Sequence, residues 1–200
     1  QTPRLLAVEP TTTSVQLQFY ARGDVRNLYV QPQPPFADEL SANQVQLQVH
    51  AVGLNFGDLA NLLGHYGDNA GPLGSECAGI ATAGSSGPVM GLAVAPLASE
   101  ARADARLLAH KPSVLSFEQA ATLPVAWCTA HEALRRASPR AGSQVLVHAA
   151  AGGVGLQAAE YAHCLGLPTA ASTTRPDRPH TLWSTCATVP FSSRRRTPFY

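Results

Sequence analysis

Residues 144–166 read QVLVHAAAGGVGLQAAEYAHCLG: an apolar run, a glycine-rich turn and a run with helical spacing. Val145, Leu146 and Val147 are consecutive and apolar, which predicts a strand buried on both faces, as in a parallel sheet. Ala150, Gly152 and Gly155 follow with the spacing of a dinucleotide-binding turn, with alanine in its first position. Glycine at 152 lets the backbone approach a pyrophosphate, and glycine at 155 lets the helix sit close to the strand. The helix N-terminus then offers free N–H groups to phosphate. Val154, Ala158, Tyr161 or Ala162, and Leu165 recur at three and four, so they form the expected sheet-facing side of the helix. Leu165-Gly166 closes it, and Leu167 to Thr173 reads as a second strand. That succession favours a nucleotide site over the alternative, a glycine turn made for packing alone.

The end of the second strand bears on which nucleotide. An acidic residue there would accept hydrogen bonds from the ribose 2′-hydroxyl of NAD, but this chain has Ser172, Thr173, Thr174 and Arg175. Small hydroxyls and an arginine suit a 2′-phosphate, which favours NADP; Arg175 and Arg178 as solvated surface charges are the alternative. The chain has no GKS or GKT phosphate loop, no HExxH and no GxSxG, and its seven histidines show no metal-ligand spacing.

Upstream, the period is that of strands. Val15, Leu17 and Phe19 alternate with polar neighbours, and Val45, Leu47, Val49 and Ala51 alternate with Gln46, Gln48 and His50. Residues 31–43 form a proline-rich connection. Asp58, Leu59, Leu62 and Leu63 predict one or two helical turns before Gly64. Glycines at 71, 74, 79 and 84 are too dense for a helix and fit backbone packed closely at strand junctions. PVMGLA (88–93) and ARLLAHKP (105–112) read as further short strands. From Ser116, a plausible N-cap, SFEQAATLPVAWCTAHEALRRA predicts a helix, a break at Pro124 and a second helix from about Ala126 to Ala137.

Composition narrows the function classes. The 200 residues are 45% hydrophobic, ample for a core, and 14 basic against 13 acidic side chains give no field for nucleic acid or an anionic membrane. No apolar run approaches the length of a membrane span. Cys77, Cys128, Cys164 and Cys186 lack zinc-knuckle or CxxC spacing, so free buried thiols in a reducing, cytoplasmic setting are expected. The N-terminus QTPRLLAVEP has the look of a piece cut from a longer parent.

Five stretches together resemble a known family: AVGLNFGDLANLLGHYGD (51–68), GPLGSECAG (71–79), VMG (89–91), ADARLLAHKPSVLSFEQAATLPVAWCTAHEAL (103–134) and GSQVLVHAAAGGVGLQAAEYAHCLG (142–166). They are similar to the enoyl reductase domain of polyketide and fatty acid synthases, in the zinc-free, quinone-oxidoreductase-like branch of the medium-chain dehydrogenase/reductase superfamily.

The resemblance implies an α/β chain with a β-rich GroES-like substrate domain (1–115), followed by linker helices and the start of a Rossmann doubly wound parallel sheet (116–175), with NADPH in the cleft between the two domains. It implies reduction of the α,β double bond of an acyl thioester carried on an acyl carrier protein. Neighbouring synthase domains are the implied partners, and a homodimer of the full-length parent is compatible with it.

By motif match, Asn55 and Tyr66 line the cleft, Tyr66 as proton donor, and Thr129 lies near the nicotinamide. Ala150, Ala151, Gly152, Gly153, Val154 and Gly155 form the cofactor loop, and Thr173 and Arg175 take the 2′-phosphate side. Asn55 as a plain turn cap and Tyr66 as a rim tyrosine are the structural alternatives. Gly74-Ser75-Glu76 stands where the zinc-dependent branch has Gly-His-Glu, so catalytic zinc is not expected.

Departures from the family are Gly57 where an arginine is common, only SSGP between Gly84 and Val89, and His131-Glu132 in place of an aromatic pair. After Thr174, RPDRPHTLWSTCATVPFSSRRRTPFY has four prolines and no periodicity. Residues 176–200 are therefore expected to be a tail foreign to the family, of frame-shifted origin or without order, with the sheet stopping at two strands and its edge unpaired. A free-standing NADPH quinone or enone reductase and an inactive fragment are the competing functional readings.

Overall fold

The computed structural model describes residues 14–67, 70–84 and 87–173, and the backbone of Pro190–Phe191. The chain divides into two compact units, one ending at Pro124 and one beginning at Val125.

The first unit is built on β-structure. Strands β1 (Val15–Phe19) and β2 (Leu28–Pro32) form an antiparallel hairpin. Strands β3 (Gln44–Gly53), β4 (Glu76–Ala83), β5 (Gly87–Leu92), β6 (Glu100–Asp104) and β7 (Leu108–His110) form an antiparallel sheet in the order β6-β3-β4-β5-β7.

The alternation read in the sequence places Val45 and Leu47, each 1% exposed, in a core with Cys77, Ala81, Val89 and Ala103. The alternation breaks where the β3–β4 register shifts between Val49 and Ala51, a bulge that turns the strand. Gly79 lies opposite Val49, and a Cβ there would strike the Gln48 carbonyl; at Gly91 it would strike the Leu107 carbonyl. These contacts explain why small residues fill the middle of the sheet.

Helix α1 (Phe56–Leu62) follows β3, and helix α2 (Phe117–Ala121) packs on β3 and β4 through Ala120 and Ala121 against Ala78. Ser116 caps α2 as expected: its Oγ accepts from the Gln119 amide at 3.2 Å, and Gln119 Oε1 accepts from the Ser116 amide at 2.9 Å. Because α2 lies on the sheet, the observed boundary falls at 124/125, whereas the sequence reading drew it at 115/116.

In the second unit, helix α3 (Pro124–Ala137) begins on its proline, a position where the missing N–H costs nothing. Strand β8 (Val145–Val147), helix α4 (Gly153–Cys164) and strand β9 (Thr169–Ser172) make a βαβ unit with β8 and β9 parallel and Val145, Leu146 and Val147 opposite Thr169, Ala170 and Ala171. The architecture is thus a GroES-like antiparallel domain followed by the start of a Rossmann parallel sheet.

Three expectations are corrected in this unit. Leu146 is 56% exposed, because α4 covers one face of β8 and the described residues place no helix on the other. The buried face of α4 is Gly155, Ala159 and Ala162, while Val154 is 42% and Leu165 50% exposed. Contact of Gly155 with the preceding turn fixes the helix's rotation, and the smallest side chains then meet the sheet. Finally, β9 is not an edge: strand β10 (Pro190–Phe191) pairs with it in parallel, opposite Ala171 and Ser172, giving the order β10-β9-β8. An open edge carries unpaired N–H and C=O groups that any extended segment can satisfy.

Candidate functional site

The turn between β8 and α4 is closed by its own backbone. Ala149 adopts φ 52°, in the left-handed region. Gly152 N–H donates to the Ala149 carbonyl at 2.9 Å, and Ala150 N–H donates to Ser172 of β9 at 3.0 Å. Leu156 N–H donates to the Gly152 carbonyl at 2.9 Å, which leaves the N–H groups of Gly153, Val154 and Gly155 outside the helical ladder. Gly152 and Gly153 are exposed.

The glycines divide the work. A Cβ on Gly155 would lie 2.5 Å from the Ala149 carbonyl oxygen and 2.6 Å from Ala150 Cα, so this glycine serves close packing of helix on strand. A Cβ on Gly152 would lie 3.3 Å from Ala149 O, and one on Gly153 would meet nothing within 4 Å. Open space therefore lies over Gly153, whereas Gly152 sits close to the Ala149 carbonyl. The side chains of Ala150 and Ala151 are buried in the core with Val147 and Ala171, so only their backbones can face a ligand. Amides outside the ladder at the start of a twelve-residue helix, with open space over Gly153, fit a diphosphate.

At the carboxyl ends of the strands, His148 Nδ1 and Ser172 Oγ are 2.8 Å apart, a pairing the sequence reading missed. Thr173 is half-buried beside them. Thr174, Arg175 and Arg178 lie outside the described residues.

Thr129 is exposed on α3 and its hydroxyl donates to the Val125 carbonyl at 2.7 Å. Two residues on, His131 Nδ1 and the Tyr161 hydroxyl are 2.9 Å apart, and Trp127 meets Tyr161 edge to face. His131 thus ties α3 to α4. Glu132 binds Nε of both Arg135 and Arg136 at 2.6 Å, and these hydrogen bonds, Arg135's first, lower its carboxyl to about 2.

In the first unit Asn55 precedes α1. Its backbone N–H donates to Asp58 Oδ2 at 2.8 Å and its side-chain Nδ2 to Glu76 Oε1 at 2.7 Å. Asp58 Oδ1 also accepts from the Gly74 amide at 3.0 Å. Tyr66, 59% exposed, has its hydroxyl 3.9 Å from where a Cβ on Gly57 would sit, so Asn55 and Tyr66 share the N-terminal end of α1. Leu54 and Phe56, 76% and 79% exposed, flank Asn55 with apolar surface.

Cys77 is buried, and burial first, then the charge of Glu76, raises its thiol to about 11. Cys128 and Cys164 are free but exposed, contrary to the expectation that they are buried; both lie on the solvent side of their helices. Cys186 lies outside the described residues. Among the described residues no helix is long and apolar enough to cross a membrane, and no three His, Cys, Asp or Glu side chains cluster as metal ligands.

No protein-family model matches the chain. The chain is 44% identical over 153 residues to the spectinabilin polyketide synthase system protein NorB of Streptomyces orinoci, an alignment that covers 72% of the chain and 7% of that protein. Its fold matches the crystal structure of CurK enoyl reductase with a TM-score of 0.81 at 33% identity, over 92% of the chain and 60% of that structure. It also matches Escherichia coli quinone oxidoreductase complexed with NADPH, with a TM-score of 0.74 at 27% identity, over 88% of the chain and 57% of that structure. The chain therefore spans less than two thirds of these relatives' length. With its βαβ turn and GroES-like sheet in family order, the chain belongs to the enoyl reductase domains of polyketide synthases, in the zinc-free, quinone-oxidoreductase-like branch of the medium-chain dehydrogenase/reductases.

Proposed function

We propose that the chain carries the NADPH-dependent reduction of an α,β-unsaturated acyl thioester in polyketide or fatty acid synthesis. The acyl group is presented on an acyl carrier protein, and neighbouring synthase domains are the partners. The observation that carries this reading is the start of α4, where Gly155 is packed on Ala149 while Gly153 stands in open space before three backbone donors.

NADPH, when bound, supplies the hydride for the β-carbon. The amides of Gly153, Val154 and Gly155 hold the diphosphate, and Thr173 and Arg175 are assigned to the 2′-phosphate end. The Thr129 hydroxyl donates its hydrogen bond to the Val125 carbonyl, so it serves a ligand as an acceptor, suited to a carboxamide N–H and unable to polarise a thioester oxygen at the same time. Tyr66 has an exposed hydroxyl and donates the proton to the α-carbon. Asn55, fixed by Asp58 and Glu76, holds the reacting partners in place.

The competing reading, a reductase of small quinones or enones, is weakened by the higher identity to the polyketide synthase relative, 44% against 27% for the quinone oxidoreductase. Calorimetric titration with NADPH and NADH, followed by turnover assays on an enoyl thioester and on a quinone, tests the proposal. Saturable binding with NADPH preferred, and oxidation of NADPH by the thioester, are expected. Absence of any nicotinamide nucleotide binding, or turnover of the quinone alone, would overturn it.

A further inference from the structure

We propose that Glu76 is a positioning residue that fixes which way the Asn55 side-chain amide faces; the inference rests on the reading above, in which Asn55 touches cofactor or substrate. Glu76 opens β4 and is 2% exposed, among the largest fully buried side chains of the described residues. A buried carboxyl group must be matched with donors, and Asn55 Nδ2 supplies one at 2.7 Å.

The space for this pair is reserved by Gly53. It lies opposite Glu76 in the β3–β4 register, and any Cβ there would strike both the Glu76 side chain and the Ala121 carbonyl. A second carboxyl group, Asp58, holds the Asn55 main chain separately and binds the Gly74 amide two residues before Glu76. Main chain and side chain of Asn55 are thus pinned by different residues. The bond to Glu76 holds the donor end of the amide, and the capping box of α1 faces its acceptor end.

An asparagine side chain has a donor end and an acceptor end that are nearly equal in shape, so its neighbours decide the orientation. With Nδ2 on Glu76, Oδ1 is turned toward the Asp58 amide at the start of α1 and keeps a second lone pair for a further donor. The pinned amide therefore suits a ligand donor, an alcohol or a carboxamide N–H, rather than a carbonyl oxygen. Asn55 and Asp58 also form the capping box of α1, with the Asn55 side chain facing the Asp58 amide, so the start of the helix and Glu76 favour the same orientation of the amide.

The experiment compares the full chain with its Glu76→Met and Glu76→Gln variants by two readouts. The first is the Asn55 side-chain NH2 pair in 15N NMR without ligand, and the second is NADPH affinity together with kcat and KM for an enoyl thioester. In the unmutated chain the two protons are expected to be well separated and slow to exchange with water. In Glu76→Met they should converge, with NADPH affinity falling about tenfold, the worth of one such hydrogen bond. Glu76→Gln, which keeps an oxygen acceptor, should restore most of both.

Identical Asn55 signals in the unmutated and Met chains, or a Met variant with native affinity and kinetics, would overturn the proposal. Should Glu76→Met fail to fold, Asn55 amide protons in the unmutated chain that exchange as fast as those of the exposed Gln48 would overturn it. A pinned Asn55 in a chain that binds no NADPH would refute the functional reading while leaving the positioning intact.

Discussion

The Ala149 carbonyl oxygen lies 2.5 Å from the point that a Cβ on Gly155 would occupy, whereas the same construction on Gly153 meets nothing within 4 Å. Two glycines of one turn therefore have separable roles. Gly155→Ala must push backbone against backbone and is expected to lower stability by about 1–3 kcal/mol, the usual range for overpacking. Gly153→Ala should leave urea unfolding unchanged or slightly improved. Gly153→Val should weaken NADPH binding without unfolding the chain, and equal unfolding midpoints for the two alanine variants would refute this division.

Thiol reactivity follows burial and proton affinity. Cys77 is buried with its thiol raised to about 11, so at neutral pH it is a protonated, covered group. Iodoacetamide is expected to alkylate Cys128 and Cys164 in the folded chain, and Cys77 only after denaturant is added. Peptide mass mapping of the alkylated sites reads the outcome directly.

Glu132 gives a pH prediction. Its hydrogen bonds to Arg135 and Arg136 lower the carboxyl from 4.5 to about 2 in the folded chain. A depressed acid stabilises the fold above its unfolded pKa, and that contribution is lost as pH falls from about 4.5 through about 2. Glu132 is exposed, so the contribution is small and screened by salt. An NMR titration of the Glu132 side chain should show a midpoint near 2 that rises in Arg135→Gln.

Gly57 stands in the first turn of α1, and a Cβ there would be 3.9 Å from the Tyr66 hydroxyl, an ordinary contact. Gly57→Ala should stabilise the chain by up to about 1 kcal/mol through helix propensity. Thermal melting would show it as a small upward shift. A loss of stability would mean that Tyr66 packs more tightly over α1 than this spacing indicates.

Local patterns are legible in the sequence. The alternation of Val45 and Leu47, the Ser116 cap, the helix break at Pro124 and the strand, turn and helix around Gly152 each depend on neighbours within a few positions. Strand β6 was missed because its inward residues, Ala101 and Ala103, carry too little apolar surface to mark a period. The bond from Asn55 to Glu76 joins residues 21 apart, and that from His148 to Ser172 joins residues 24 apart, so no spacing rule announces them.

The sequence by itself determined that a glycine turn with nucleotide-binding spacing follows an apolar strand and opens a helix. Only the tertiary structure decided which face of that helix is buried, that the space over Gly153 is open, and that a buried carboxyl group holds Asn55. Periodicity is encoded along the chain, whereas helix rotation and side-chain orientation are set by the backbone atoms that distant segments bring within van der Waals contact.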